Sequence, residues 1–135
     1  MILMVSLPYP SRYQTLKEQL QAVERLAIAS QPDVAQVQAA FLQAQQWFQQ
    51  AILDDTEAAI PEAIAGEVQA YGVELNKQLR LLGIDVMFLQ SSRQAQTRMQ
   101  RQAQIRDRLQ LLQTYCDRVL ALDSDPAADS EPPSA

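Results

Sequence analysis

The spacing of the apolar residues constrains the fold of this chain more than any other feature. They recur every three or four positions through most of the 135 residues, which is the period of an α-helix and not the alternation of a β-strand. The composition agrees, since the chain has 21 Gln, a good helix former, and only three Gly. The pattern divides into four stripes, and each stripe predicts one amphipathic helix.

Turn and cap residues mark the ends of these helices. The first helix is predicted to begin at Ser11, where Ser-x-x-Gln has the spacing of a capping box, and the second to run from about Asp33 to Leu53. The third follows Pro61, and the fourth ends at Leu122. The stripes are Tyr13, Leu16, Leu20, Val23 and Ala27; Val34, Val37, Phe41, Ala44, Phe48 and Ile52; Ile64, Val68, Tyr71, Leu75, Leu79, Leu82, Val86 and Leu89; and Ile105, Leu109, Leu112, Cys116 and Val119.

The connection between the third and fourth helices is open at this stage. Residues 91–100 contain neither Gly nor Pro, so a cap at Ser91-Ser92, a cap at Thr97 and one continuous bent helix all fit the sequence.

The apolar stripe of the fourth helix stops at Ile105. At the same spacing, the positions before Ile105 hold only polar residues. We therefore predict an all-α, antiparallel four-helix up-down bundle whose long hairpin of helices three and four projects beyond the other pair.

Both ends of the chain differ in composition from the bundle predicted over residues 11–122. Residues 1–10 form an apolar N-terminal lead, too short for a signal peptide, and residues 123–135 hold three Pro and four acids, which predicts a disordered acidic tail. No stretch is apolar for the roughly 18 residues that a membrane span requires. A single Cys fits a reducing compartment, so we expect a cytoplasmic protein with no membrane span.

The residues needed for common catalytic chemistry are missing. The chain has no His, one Cys and no glycine-rich phosphate loop, so we expect no enzyme activity, metal, cofactor or small-molecule substrate. Cys116 is in phase with core residues, which favours a buried structural thiol. Gly72 and Gly83 each cost the third helix about 1 kcal/mol relative to Ala, and we predict that both mark close approach of another helix.

The net charge of −5 hides an asymmetry along the chain. Residues 1–76 carry −6, residues 77–122 carry +5 and the tail carries −4. Five arginines fall within 16 residues around the predicted hairpin tip: Arg93, Arg98, Arg101, Arg106 and Arg108. They could bind an acidic partner, form a solvated helix face or dock the acidic tail. We do not expect nucleic-acid binding, because the sequence pI is about 4.6 and no aromatic residue interleaves with the arginines.

The third helix is apolar on two faces. Opposite its main stripe lie the apolar residues Val73, Ile84, Met87 and Phe88, together with the basic residues Lys77 and Arg80. Either this second apolar face is covered by neighbouring helices of the same fold, or it is exposed and binds a partner or a second copy of the chain.

The stretch from residue 74 to residue 116 resembles the cyanobacterial PatD family of heterocyst frequency control proteins. The runs that carry the resemblance are Asn76-Lys-Gln-Leu-Arg-Leu-Leu, Asp85-Val-Met-Phe-Leu-Gln, Arg93-Gln and Tyr115-Cys116. The resemblance implies a small helical cytoplasmic protein that acts by binding the tubulin-like division protein FtsZ. Its implied role is to tune cell division and, in filamentous cyanobacteria, the frequency of heterocyst differentiation.

Two hypotheses follow from the residues and the resemblance. The first is a non-enzymatic regulator that binds a division protein through Asn76, Lys77, Arg80, Ile84, Met87, Phe88, Arg93, Arg98 and Arg101. The second is a dimeric assembly chaperone or scaffold that presents the two-faced helix to another client. Either way, the chemistry is expected to be protein binding.

Overall fold

The computed structural model describes residues 8–54 and 60–124. Within these residues the chain forms four α-helices and no β-strand, which confirms the predicted all-α class. The helices are α1 (Tyr9–Ala27), α2 (Val34–Trp47), α3 (Glu62–Ser91) and α4 (Ala95–Ser124), and α2 continues into a π-helix over Phe48–Leu53. None of these helices is long and apolar enough to cross a membrane.

Caps set the beginnings of the first three helices. α1 begins at Tyr9 with Pro8 as its N-cap, so Ser11 lies inside the helix and the predicted capping box is wrong. Pro suits a helix start because it lacks the N–H that would go unpaired there. The Asp33 side chain accepts a hydrogen bond from the Gln36 N–H and caps α2, whereas Pro61 is the N-cap of α3.

The two long helices are separate, which resolves the boundary that the sequence leaves open. α3 ends at Ser91, and Ser92 has an extended backbone. The hydroxyls of Ser91 and Ser92 both donate to the carbonyl oxygen of Phe88, at 3.1 and 2.7 Å. These bonds satisfy a carbonyl that the end of the helix leaves open. Thr97, the other candidate cap, lies inside α4.

The four predicted stripes form a single hydrophobic core. All their members are buried except four half-buried residues, which are Val34, Ile52, Ile64 and Tyr71. α4 packs against both α1 and α3, and α2 packs against the same two helices. Between α3 and α4, Tyr71 meets Tyr115 and Phe88 meets Arg101, which is the order that antiparallel neighbours give. The complete up-down topology stays a prediction.

The two glycines of interest in α3 have different surroundings. A Cβ added at Gly83 would lie 2.9 Å from Cζ of Phe41, so this glycine does mark a close approach between α3 and α2. A Cβ at Gly72 would meet no atom within 4 Å. The prediction of close helix approach is therefore wrong for Gly72, because this residue borders an open cleft.

The core ends where the phase of the fourth stripe predicts. Leu89 and Ile105 are buried, and no residue from 90 to 104 is. Near this level, the Gln102 side-chain amide donates to the carbonyl oxygens of Ala27 and Ala29, both at 2.8 Å. These bonds tie α4 to the carboxyl end of α1.

The predicted terminal segments fall largely outside the described residues. In the apolar lead predicted over residues 1–10, only 8–10 are described, and Tyr9 and Pro10 belong to α1. In the acidic tail predicted over 123–135, residues 123 and 124 belong to α4, and 125–135 lie outside the described residues. The described helical part is thus slightly longer at both ends than the 11–122 that the sequence predicts.

Candidate functional site

One side of α3 carries six residues that point away from the core. At about 100° per residue they fall within about 60° of a single line along the helix. The apolar members are between 43% and 62% exposed, and Lys77 and Arg80 are exposed beside them. We call this surface the α3 stripe; it consists of Val73, Lys77, Arg80, Ile84, Met87 and Phe88. Because these side chains face solvent, burial within the bundle does not explain the second apolar face of α3.

The tip of the α3–α4 hairpin holds a concave pocket next to the stripe. The pocket has a volume of about 260 Å³, and Phe88 belongs both to it and to the α3 stripe. The Arg101 guanidinium carbon lies 4.6 Å from the centre of the Phe88 ring, which is a cation–π contact. We call this the hairpin pocket; its lining residues are Phe88, Ser91, Ser92, Arg93, Gln94, Thr97 and Arg101.

None of the nine residues predicted to bind a partner is buried. Lys77, Arg80, Ile84, Met87, Phe88 and Arg93 are exposed, while Asn76, Arg98 and Arg101 are half-buried. The hairpin pocket brings together three of them, which are Phe88, Arg93 and Arg101. Four of the other six, Lys77, Arg80, Ile84 and Met87, belong to the α3 stripe. Asn76 lines the wall of a different cleft, and Arg98 lines neither cavity.

The cluster of five arginines is smaller than the sequence suggests, because Arg108 takes part in a buried ion pair. Its Nε lies 2.5 Å from Oδ2 of Asp85, whose side chain is only 5% exposed, and one terminal nitrogen donates to Oε1 of Gln78 at 2.9 Å. Sequence reasoning missed this pair. The helical phase of Asp85 could have indicated it: Asp85 lies three residues after Leu82 and four before Leu89, on the core face of α3.

A second cleft, of about 530 Å³, lies between α1, the π-helix and α3. Its wall includes Arg12, which is 2% exposed and donates to the carbonyl oxygen of Ala51 at 2.9 Å. The Trp47 indole N–H in turn donates to the carbonyl oxygen of Arg12 at 2.9 Å. Sequence reasoning missed the burial of Arg12, although its position three residues after Tyr9 places it on the core face of α1. The Arg12 side chain thus stabilises the packing of α1 against the π-helix that follows α2.

Two titratable groups of the core, the Cys116 thiol and the Tyr13 hydroxyl, have raised pKa values. Burial raises the pKa of the Cys116 thiol to about 12, and the neighbouring Asp117 charge adds to this effect. Burial likewise raises the pKa of the Tyr13 hydroxyl to about 12. The predicted interpretation of Cys116 as a buried structural thiol is confirmed. Within residues 8–54 and 60–124, no group of three or more His, Cys, Asp or Glu side chains is placed to hold a metal ion.

No family model, curated protein sequence or solved structure matches this chain. The resemblance of residues 74–116 to the PatD family therefore stays a prediction. The geometry of the α3 stripe and the hairpin pocket is the remaining guide to function.

Proposed function

We propose that this protein is a non-enzymatic cytoplasmic regulator that binds an FtsZ-like cell-division protein. Its role would be to tune cell division and, in filamentous cyanobacteria, the frequency of heterocyst differentiation. The observation that carries the proposal is the solvent exposure of Val73, Ile84, Met87 and Phe88 on one side of α3. The resemblance to the PatD family falls on the same part of the chain, since it spans residues 74–116.

The composition of this surface supports protein binding. Ile84, Met87 and Phe88 lie within about one turn of each other and form a contiguous apolar area. An apolar centre with a charged rim is the usual anatomy of a protein–protein interface, and Met, Arg and aromatic residues are enriched at such surfaces. Lys77, Arg80 and the hairpin arginines provide a basic rim. This rim would suit a division protein that presents an acidic or mixed surface.

Binding to purified FtsZ tests the proposal. The test variant combines Arg80→Glu, Arg93→Glu and Arg98→Glu, and its affinity is measured by biolayer interferometry. We expect a loss of affinity of at least about tenfold, since each reversal replaces an attraction by a repulsion. A control variant reverses two other arginines, Arg25 and Arg118, which are exposed on α1 and α4 outside the α3 stripe. Unchanged binding by the triple variant would show that the surface assignment is wrong.

The exposed apolar face of α3 also suits the alternative function, a dimeric assembly chaperone or scaffold. Ile84 and Phe88 are 43% and 45% exposed, so an Asp at either position should leave the core intact. Light scattering on the wild-type chain and on Ile84→Asp and Phe88→Asp separates the two functions. A stable dimer that either substitution breaks would assign the α3 stripe to self-association and not to FtsZ.

A further inference from the structure

We propose that the α3 stripe and the hairpin pocket form one continuous docking site for an amphipathic α-helix that carries carboxylates along its flank. This inference rests on the proposed function, because it names the chemistry of the partner segment that the surface would accept. Phe88 connects the two parts, since it belongs to the stripe and lines the pocket. From Val73 to Phe88 the site is about 22 Å long, which corresponds to about four helical turns of the partner.

The charges on this site are all of one sign. Lys77 and Arg80 lie between the apolar residues of the stripe, and Arg93 and Arg101 line the pocket. No acidic residue belongs to either set, and the nearest acid along α3, Glu74, is half-buried on the flank of the stripe. The pairing of Arg108 with Asp85 also removes that carboxylate from the surface. The complement of this site is therefore a segment that combines apolar side chains with carboxylates.

The shape of the site favours a helix as the occupant. The stripe is a ridge on a regular helix, with side chains at spacings of three and four residues, and another helix can interdigitate with such a ridge. The backbone of α3 uses its N–H and carbonyl groups inside the helix, so it cannot pair with an added strand. A partner helix would place apolar residues on Ile84, Met87 and Phe88, and a flanking carboxylate would reach the arginines of the pocket.

A second copy of this chain fits the site less well than an acidic helix. In a two-fold dimer the same patch supplies both sides of the interface. Two stripes packed together would then bring the Lys77 and Arg80 side chains of both copies into one apolar interface without an acidic residue to pair with them. Buried charges without partners are strongly unfavourable. Charge therefore favours a different, acidic partner.

The acidic tail of the same chain fits the site less well than a separate helix. Along α4 the distance from Arg101 to Ser124 is about 35 Å. A fully extended chain from Ser124 to Glu131 spans at most about 25 Å, so a tail carboxylate would reach Arg101 only with the backbone and both side chains fully extended. Such an extended segment would cost conformational entropy and would not form a helix on the α3 stripe. Docking of the tail by the arginines stays a prediction.

Three synthetic helical peptides test this inference on the full chain. The first has Leu at spacings of three and four residues and Glu along both flanks; the second replaces every Glu by Lys; the third keeps Glu and replaces Leu by Ser. Fluorescence anisotropy measures their binding. We expect the Leu/Glu peptide to bind at least about tenfold more tightly than either of the others, because only it matches both features of the site.

Variants of the protein locate the binding site of the peptide. Ile84→Asp and Arg101→Gln should each weaken the Leu/Glu peptide by about tenfold or more, because they remove an apolar contact and a charge partner respectively. The matched control Arg118→Gln should leave binding unchanged, since this exposed arginine lies on α4 outside the site. Equal binding of the Glu and Lys peptides, insensitivity to Ile84→Asp, or a dimer that the peptide cannot dissociate would each overturn the inference.

The two proposals fail in distinguishable ways. If the chain selects the Leu/Glu peptide but does not bind FtsZ, the inferred partner chemistry stands and the proposed function is wrong. If FtsZ binding requires Arg80, Arg93 and Arg98 but the chain shows no preference among the three peptides, the function stands and the helical acidic occupant is wrong. Displacement of bound FtsZ by the Leu/Glu peptide would support both.

Discussion

Substitution of Gly72 and Gly83 by Ala gives opposite expectations for two residues of the same helix. A Cβ at Gly83 would lie 2.9 Å from Cζ and 3.2 Å from Cε2 of Phe41, a ring that is only 6% exposed. A Cβ at Gly72 would have open space around it. Neither glycine has a positive φ, so the backbone accepts Ala at both positions. The difference between the two variants therefore measures the contact of α3 with α2.

The expected magnitudes follow from two opposing effects. Ala is favoured over Gly by about 1 kcal/mol in a helix interior, so Gly72→Ala should raise the free energy of unfolding by about that amount and Tm by about 4 °C. Gly83→Ala gains the same propensity but must displace the Phe41 ring in a close-packed core, and such overpacking costs about 1–3 kcal/mol. We expect Gly83→Ala to be between neutral and about 2 kcal/mol less stable than the wild type.

Urea unfolding followed by far-ultraviolet circular dichroism measures both variants. Gly66→Ala serves as a second control, because a Cβ there also meets no atom within 4 Å. Repeating Gly83→Ala in a Phe41→Leu background should recover part of the helix-propensity gain, since the smaller side chain leaves room for the methyl group. If Gly83→Ala stabilises the wild-type chain as much as Gly72→Ala does, then α2 does not approach α3 as described.

Three further predictions concern the polar and titratable groups of the core. Asp85→Ala should lower the free energy of unfolding by about 2–4 kcal/mol, because it leaves the Arg108 charge without its ion-pair partner. Asp85→Leu combined with Arg108→Met should recover most of that stability in urea titrations. The folded pKa values of Tyr13 and Cys116, about 12, exceed their ordinary values of 10.0 and 9.0. The contribution of these two groups to the free energy of unfolding is therefore complete below pH 9.0 and is lost as the pH rises toward about 12. Cys116→Ala should reduce this loss of stability at alkaline pH, as measured by unfolding curves across that range. Gln102→Ala should cost about 1–2 kcal/mol and speed amide hydrogen exchange near the carboxyl end of α1, because it removes two hydrogen bonds to carbonyl oxygens there.

The helical class and the core of this protein are predictable because period and phase are local properties of the sequence. Each stripe needs only the spacing of its own residues, as in Ile105, Leu109 and Leu112, and the loss of apolar residues before Ile105 indicates where the core stops. Helix ends are less predictable when two residues compete for the same role. At the start of α1 the sequence predicts a cap at Ser11, but the helix begins at Tyr9, directly after Pro8 and without a side-chain cap hydrogen bond.

The buried polar groups were not predicted, because they depend on contacts between helices. The pairing of Asp85 with Arg108 joins residues 23 positions apart, and the bond from Arg12 to Ala51 joins residues 39 positions apart. The phase of each residue on its own helix places it on the core face, but phase does not identify the partner that makes burial of a charge tolerable. The same limit applied to the α3 stripe, since phase alone could not say whether another helix covers Ile84.

The exposure of the hairpin pocket follows from the unequal lengths of the helices, whereas the α3 stripe is exposed because it lies on the side of α3 opposite the core. α3 and α4 have 30 residues each, whereas α1 has 19 and α2 has 14 before its π-helical end. The shorter pair therefore cannot cover the whole of the longer pair, and the uncovered part includes the hairpin pocket. Because this part lies on regular helices that Leu89 and Ile105 join to the core, its helical backbone is ordered before any partner arrives. Binding there would therefore cost little conformational entropy of the backbone, so an interface of about four helical turns can suffice for a reversible complex.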